Sequence, residues 1–228
     1  MGIRYKYDKQ LNKMIVLGFD KDVFIENLKI DGIVQGVPVT AIAENAFRNT
    51  KITSVIIPET IEKIGIRAFA NCTELNSVSV GDIEAEKTQD VLLIQSYAFS
   101  HCVNLSAFNA WSYSVHIQNY AFCNCRSLRF PLMGIIRLEA GSFYNCYQIY
   151  SLDFDEGAIL DENSLLNCHL EKIKILGNVK IHKTVLAQIK TEKIKLYCTR
   201  NSSLLDLIYE GYNIETYSEA EEFALRMR

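Results

Sequence analysis

Proline is scarce in this chain, three residues in 228, and glycine accounts for only eleven. Collagen-like and low-complexity architectures are excluded on that count. Long apolar runs are missing as well. The first thirty residues set Arg4, Lys6, Asp8, Lys9, Lys13, Asp20, Lys21 and Asp22 between short hydrophobic pieces, so neither an export signal nor a membrane helix is visible in this chain. No direct membrane insertion is expected. An excess of one charge is also lacking: 24 basic against 27 acidic side chains leave a net charge of −3, too weak a field to draw in nucleic acid. Glycine-rich phosphate loops, zinc-protease helices and nucleophile elbows are absent, and no enzyme activity is expected. What remains is an ordinary globular composition, 49% hydrophobic and 22% charged, which excludes disorder.

Order lies in a repeat. The string AFRNT at Ala46 to Thr50 returns as AFANC, AFSHC, AFCNC, SFYNC and SLLNC. Its anchors are Phe47, Phe69, Phe99, Phe122 and Phe143, with Leu165 in the sixth place, spaced by 22, 30, 23, 21 and 22 residues. After most anchors comes an apolar-x-x-apolar-x-apolar segment, such as Ile52, Val55, Ile57 or Leu75, Val78, Val80, whose last two positions alternate as in a half-buried strand. A second apolar segment precedes each anchor: Val39 to Ile42, Ile61 to Ile64, Val91 to Ile94, Val115 to Ile117, Ile135 to Leu138 and Ala158 to Leu160, with Val179 to Ile181 as a further candidate.

The spacing predicts a solenoid with coils of about 22 residues and two short strands per coil, stacked into two parallel sheets. Ile25, Leu28 and Ile30 fit one coil earlier, and Ile194 and Leu196 one coil later. At a strand spacing of about 4.8 Å, eight rungs make a stack roughly 34 Å long. The charged segment Gly81 to Asp90 absorbs the long step as a surface excursion.

Solenoid ends need covers. Tyr5 to Phe19 reads as a β-hairpin, Ser203 to Glu210 as a helix stopped by Gly211, and Ser218 with Glu221 as a capping box opening a second helix. The expected layout is a single domain over 1–228, with an N-terminal cap over 1–24, repeats over 25–198 and a C-terminal helical cap over 199–228.

The stretch ITSVIIPETIEKIGIRAFANCTELNSVSV, Ile52 to Val80, closely resembles the BspA-type leucine-rich repeat. GVPVTAIAENAF at Gly36 to Phe47 and YCTRNSSLLDLIYEGYNIE at Tyr197 to Glu215 are similar to that family's lead-in and closing cap. The resemblance implies a right-handed leucine-rich-repeat solenoid, an adhesion or protein-binding role at a cell surface or after secretion, and no catalytic residues. Fold alone does not name a partner.

Five of the seven cysteines, Cys72, Cys102, Cys125, Cys146 and Cys168, share one repeat position, three residues after the anchor. Buried reduced thiols filling a ladder explain this better than disulfides, whose Cβ atoms must approach closer than neighbouring strands allow. Cys123 and Cys125 with four scattered histidines match no zinc site, so no metal or other cofactor is expected. Asn49, Asn71, Asn124, Asn145 and Asn167 recur one residue earlier in the motif, with His101 in the third coil. They read as turn residues that satisfy local backbone groups and tolerate left-handed conformations.

Function should lie on the outward positions of the strand after each anchor, which change from rung to rung: Ser54, Ser77, Ser79 and Asn109, then Trp111 and Asp153, then Lys172, Lys174, Lys193 and Lys195. The candidate partner-binding set is Trp111, Tyr113, Phe130, Leu132, Asp153, Lys172 and Lys174. Trp111 reads either as an interface anchor or as a loop aromatic packed on its neighbours. In LRFPLM the register is open: Phe130 and Leu132 face outward beside Trp111, or Pro131 and Met133 do. The expected function is a non-enzymatic monomeric scaffold for a protein or glycan partner; the alternative is an architectural module with no ligand of its own.

Overall fold

The computed structural model describes residues 2–20, 23, 25–81, 91–110, 113–129, 134–199 and 203–218. Strands β1 (Ile3–Asp8) and β2 (Lys13–Phe19) form an antiparallel hairpin over the segment read as one. β3 (Asn27–Lys29) follows, then β4 (Ile33–Val34) and β5 (Val37–Ile42), joined tightly through Gln35 and Gly36, both at positive φ as a two-residue hairpin turn requires. Short strands then alternate: β6 (Ser54–Ile57), β7 (Lys63–Ile64), β8 (Ser77–Val80), β9 (Val91–Ile94), β10 (Ala107–Asn109), β11 (Ser114–Ile117) and β12 (Ile135–Leu138). The chain continues through β13 (Ser151–Leu160), β14 (Lys172–Ile175), β15 (Lys180–Ile181), helix α1 (Lys183–Thr191), β16 (Lys195–Cys198), a 3-10 helix (Ser203–Ile208) and β17 (Ile214–Thr216).

The strands stack as a solenoid of about seven turns. The strands before the anchors pair in parallel in the order β2-β5-β7-β9-β11-β12-β13, with β15 also beside β13, and β3, β6, β8 and β10 form a second parallel sheet. Two strands per coil do not hold throughout. In the fifth coil only Asp155, Glu156 and Gly157 separate the two apolar segments, so both merge into the ten-residue β13, which pairs with β12 and β15 at one end and β14 at the other.

Alternation explains the core. Inward Val55, Ile57, Val78, Val80, Leu92, Ile94, Ile173 and Ile175 are all buried, while the residues between them face out or lie half-exposed. The anchors form a column along the stack: Phe47, Phe69, Phe99, Phe122 and Phe143 follow one another at 5.2, 5.1, 5.2 and 5.5 Å, near parallel, and Phe108 meets Phe99 and Phe122 edge-on. Each such pair adds about 0.5 to 1.5 kcal/mol beyond its burial.

Turns stack by backbone bonds too. The amides of Phe47, Phe69, Phe99, Phe122 and Phe143 donate to carbonyls one coil on, and so do the amides two residues before and two after each anchor. Those flanking residues all have positive φ, between 52° and 63°: Asn45, Arg67, Tyr97, Tyr120 and Gly141 before, Asn49, Asn71, His101, Asn124 and Asn145 after. The left-handed turn swings their N–H groups toward the neighbouring coil.

Two further expectations need correction, and a helix appears where no element was assigned. The asparagines after the anchors bond one another rather than the backbone: Asn71 donates to Asn49 at 3.0 Å, Asn145 to Asn124 at 2.8 Å and Asn167 to Asn145 at 2.8 Å. Where the anchor motif is missing after Cys168, helix α1 takes its place, with Val185 and Ile189 one turn apart on its buried face. The helix read at Ser203 to Glu210 is a shorter 3-10 helix, after which the chain returns to a strand, β17, parallel to β16; Gly211 lies between them at φ 84°. The excursion at 82–90 and the second helix read from Ser218 lie outside the described residues.

Candidate binding surface

The outward face of the strands after the anchors forms two rows. Near the N-terminal end they are neutral or nearly so: Asn27, Ser54, Ser77 and Ala107 in register in one, Lys29, Ile56, Ser79 and Asn109 in the other. The Ser54 hydroxyl donates to the Asn27 amide oxygen at 2.7 Å. Toward the C-terminal end the same positions carry Ser151, here buried, then Lys172 and Lys195 in one row and Asp153, Lys174, Tyr197 and Glu215 in the other. Asp153, Lys172 and Lys174, all expected at the site, thus come together as half-exposed side chains on adjacent strands.

The face is less basic than the lysines suggest. Lys174 Nζ lies 3.9 Å from Asp153 Oδ2, and Lys195 pairs with Glu215 while sitting 5.2 Å over the Tyr197 ring. The Glu215 carboxylate raises the Lys195 ammonium above the ordinary lysine value. Lys172 stands in register with Lys195, a like-charge neighbour.

Tyr113 does not belong to this face. It is buried, 4% exposed, and its hydroxyl donates to the Glu59 carbonyl at 2.6 Å, so its ring closes the core instead of waiting for a partner. Trp111, Phe130 and Leu132 lie outside the described residues, as does the open register of LRFPLM from Phe130 on; Leu128 before it is buried.

A second outward column escaped the sequence reading. Two residues before the anchors, Arg67 covers the Tyr97 ring at 5.3 Å, and Tyr97 stacks on Tyr120 at 5.4 Å. Gly141 ends the column because a Cβ there would come within 2.4 Å of the Tyr120 ring.

The polar groups that most resemble an active site are occupied. Ser100 Oγ lies 2.8 Å from His101 Nδ1, and Asn124 Nδ2 points at His101 Nε2 at 3.1 Å. With Nε2 accepting from the amide, the ring proton sits on Nδ1 and is donated to Ser100, the reverse of what a base activating serine needs. On the strands before the anchors His116 pairs with Glu139 at 2.8 Å and Arg137 with Asp161 at 3.0 Å, and Glu139, Arg137 and Asp161 line a shallow depression of about 470 Å³. His182 there accepts the Thr184 amide as the N-cap of α1. No three His, Cys, Asp or Glu among the described residues are grouped to hold a metal ion. All seven cysteines are buried and none is in a disulfide, and burial raises Cys102, Cys125, Cys146 and Cys168 well above the ordinary thiol range.

Known structures share this architecture. A leucine-rich cell surface protein from Faecalibacterium prausnitzii is 24% identical over 81% of this chain, with a TM-score of 0.66; the chain spans 50% of that protein. A leucine-rich repeat protein from T. pallidum is 20% identical, covering 77% of this chain and 84% of its own, with a TM-score of 0.54. At these identities the likeness is one of fold. A search of curated proteins finds no match. The profile of the BspA type leucine rich repeat region matches in six copies over residues 40–130 and 83–193, and the chain belongs to that family.

Proposed function

We propose that the chain is a non-enzymatic scaffold that binds a protein or glycan on the outward face of the strands after the anchors, with Asp153, Lys172 and Lys174 in the contact and Trp111, Phe130 and Leu132 beside them. One observation carries the reading. The inward rows keep one chemistry from coil to coil, whereas the outward rows pass from Asn27, Ser54 and Ser77 to Lys172 and Lys195 on a face that packing does not constrain. Membership of the leucine-rich-repeat family suggests a protein-interaction scaffold, and the F. prausnitzii protein of the same fold is described as a cell surface protein, which supports a surface location.

The test compares Trp111→Ala and Lys172→Ala with Lys63→Ala, on a strand before an anchor, in binding to host-cell and matrix extracts, each variant checked by circular dichroism. A loss of tenfold or more for Trp111→Ala, with Lys63→Ala unchanged, supports the face. Equal binding by all three variants places the contact elsewhere. A second reading, an architectural module without a ligand, is favoured by the pairing of Lys174 with Asp153 and Lys195 with Glu215, which leaves two of the face's lysines already neutralised. It gains if no extract yields a partner.

A further inference from the structure

We propose that His101 sets the direction of the asparagine ladder, so that a proton taken up on its ring reverses the side-chain amides of the next three coils. The ladder is polarised. Asn167 donates to Asn145 at 2.8 Å, Asn145 to Asn124 at 2.8 Å and Asn124 to His101 Nε2 at 3.1 Å, and the His101 Nδ1 proton goes to Ser100 Oγ at 2.8 Å. Each amide points its donor toward the N-terminal end. The ring spends both nitrogens on Ser100 and Asn124, so Asn71, which donates to Asn49 at 3.0 Å, lies outside this run.

Histidine is the one member that can change sides. An amide carries donors at one end and an acceptor at the other, so a run of asparagines closes the same number of bonds in either direction. A neutral imidazole accepts at one nitrogen, whereas imidazolium donates at both. On protonation the Nε2 hydrogen would face Asn124 Nδ2 across the 3.1 Å that now separates the two nitrogens. A half-turn of the Asn124 amide converts that collision into a charge-assisted bond to its oxygen. The half-turn also sets Asn124 Nδ2 against Asn145 Nδ2, so it has to pass to Asn145 and then to Asn167. Stopping part-way leaves two donors face to face; completing the reversal restores every bond. The Cys123 thiol, which Asn124 Nδ2 meets at 3.2 Å, both donates and accepts and so opposes neither state. At the far end, exposed Asn167 directs its amide oxygen away from the ladder in one state and its nitrogen in the other. A proton in the third coil thereby alters the chemistry offered by the sixth, roughly 14 Å away at about 4.8 Å per coil.

Charged and titratable neighbours tune this step without redirecting it. The turn of His101 presents Ser100 and Tyr97. The coil before carries Arg67, held over the Tyr97 ring, and exposed Glu74; the coil after carries the Cys123 thiol, Tyr120 and exposed Arg126. These groups set the pH at which the ring titrates, whereas the ladder's own bonds decide which atoms reverse.

Heteronuclear NMR on the isotope-labelled 228-residue chain tests it, with His169→Gln in every sample to remove the imidazole two residues after Asn167. The titration runs between about pH 8 and pH 5, where histidine ordinarily changes charge. At its alkaline end His101 should carry its proton on Nδ1. On acidification the side-chain amides of Asn124, Asn145 and Asn167 should shift together at the His101 midpoint. Asn49 and Asn145 both lie two coils from His101, and Asn145 should move further, because it belongs to the run. His101→Asn restores the residue of the other coils and should abolish the shared step. Asn145→Gly keeps the left-handed turn but cuts the run, so Asn124 should still respond while Asn167 falls silent. The proposal is overturned by a neutral ring protonated on Nε2, by a step confined to Asn124, or by equal steps at Asn49 and Asn145, which would report charge acting through space. A step at Asn167 that survives either substitution overturns it as well.

Discussion

The Cys146 thiol donates to the carbonyl oxygen of Phe122, one coil back, at 3.0 Å, and the Cys125 amide of the earlier coil donates to that same oxygen at 3.1 Å. The relationship recurs from Cys102 to Phe69, Cys125 to Phe99 and Cys168 to Phe143, and in the first coil the Thr50 hydroxyl serves Phe47 alongside Cys72. The ladder cysteine is therefore more than a filler. It is small enough for the column and satisfies the second lone pair of a buried carbonyl, which would otherwise be paired only once.

Stability should fall steeply above about pH 9. Burial raises Cys102, Cys125, Cys146 and Cys168 above their unfolded value, so the folded chain holds these protons after the unfolded chain has released them. Their contribution is complete below the unfolded value and is lost as pH rises past it, by about 1.4 kcal/mol per pH unit for each thiol. Urea melts across this range should show the slope, and Cys146→Ala should remove roughly one thiol's share. A profile flat from pH 8 to pH 10 would contradict it. In the native state the same thiols should label slowly with a thiol reagent.

Phe99→Ala should cost about 3 to 5 kcal/mol, because Phe99 touches Phe69, Phe122 and Phe108 at once and the column cannot collapse around the gap. Phe143→Leu should cost less than about 1.5 kcal/mol, since the next coil already places buried Leu165 at that position. Equal losses in a urea melt would show that the column is not a packing unit.

The anchor column and most strands were legible because burial imposes the same residue type at each turn of the repeat, and Val78, Val80 or Ile173, Ile175 announce their inward side by alternation. The left-handed residues before the anchors were not. The demand there falls on the backbone, and Asn45, Arg67, Tyr97, Tyr120 and Gly141 share no side-chain chemistry to reveal it. Helix α1 left only the Val185 and Ile189 pair among lysines as a sign. Of the candidate site, Asp153, Lys172 and Lys174 could be placed from the strand pattern, whereas Tyr113 could not, since its bond to Glu59 joins residues 54 apart. The pairing of Lys174 with Asp153 follows from register, which periodicity implies only once the coils are stacked.

Asn145 separates two roles that the sequence merges. It needs a φ of 62°, and its amide both donates to Asn124 and accepts from Asn167. Asn145→Gly keeps the conformation and loses only the partly solvated bonds, whereas Asn145→Ala adds the cost of a left-handed alanine, about 1 kcal/mol or more. The expected order of stability is parent, then glycine, then alanine. Alanine matching glycine in thermal melts would mean that the turn relaxes away from the left-handed region.

Gly141→Ala tests the outward column from its end. The position has φ 61°, where an L side chain is already strained, and the added Cβ would meet the Tyr120 ring at 2.4 Å. The ring can move only by leaving its stack on Tyr97, since its backbone is fixed by the Tyr120 amide bonded to Ala140. A loss of about 1 to 3 kcal/mol is expected from strain and unstacking together. Tyr120→Ala alone loses the stack but frees the space above residue 141. In the double variant the collision is gone and only the left-handed strain remains, so the two losses should sum to more than the double variant shows, with an interaction of about 0.5 kcal/mol or more. Strict additivity in urea melts of the four proteins would show that Tyr120 and Gly141 are neighbours without being coupled, and that glycine is held there by its φ alone.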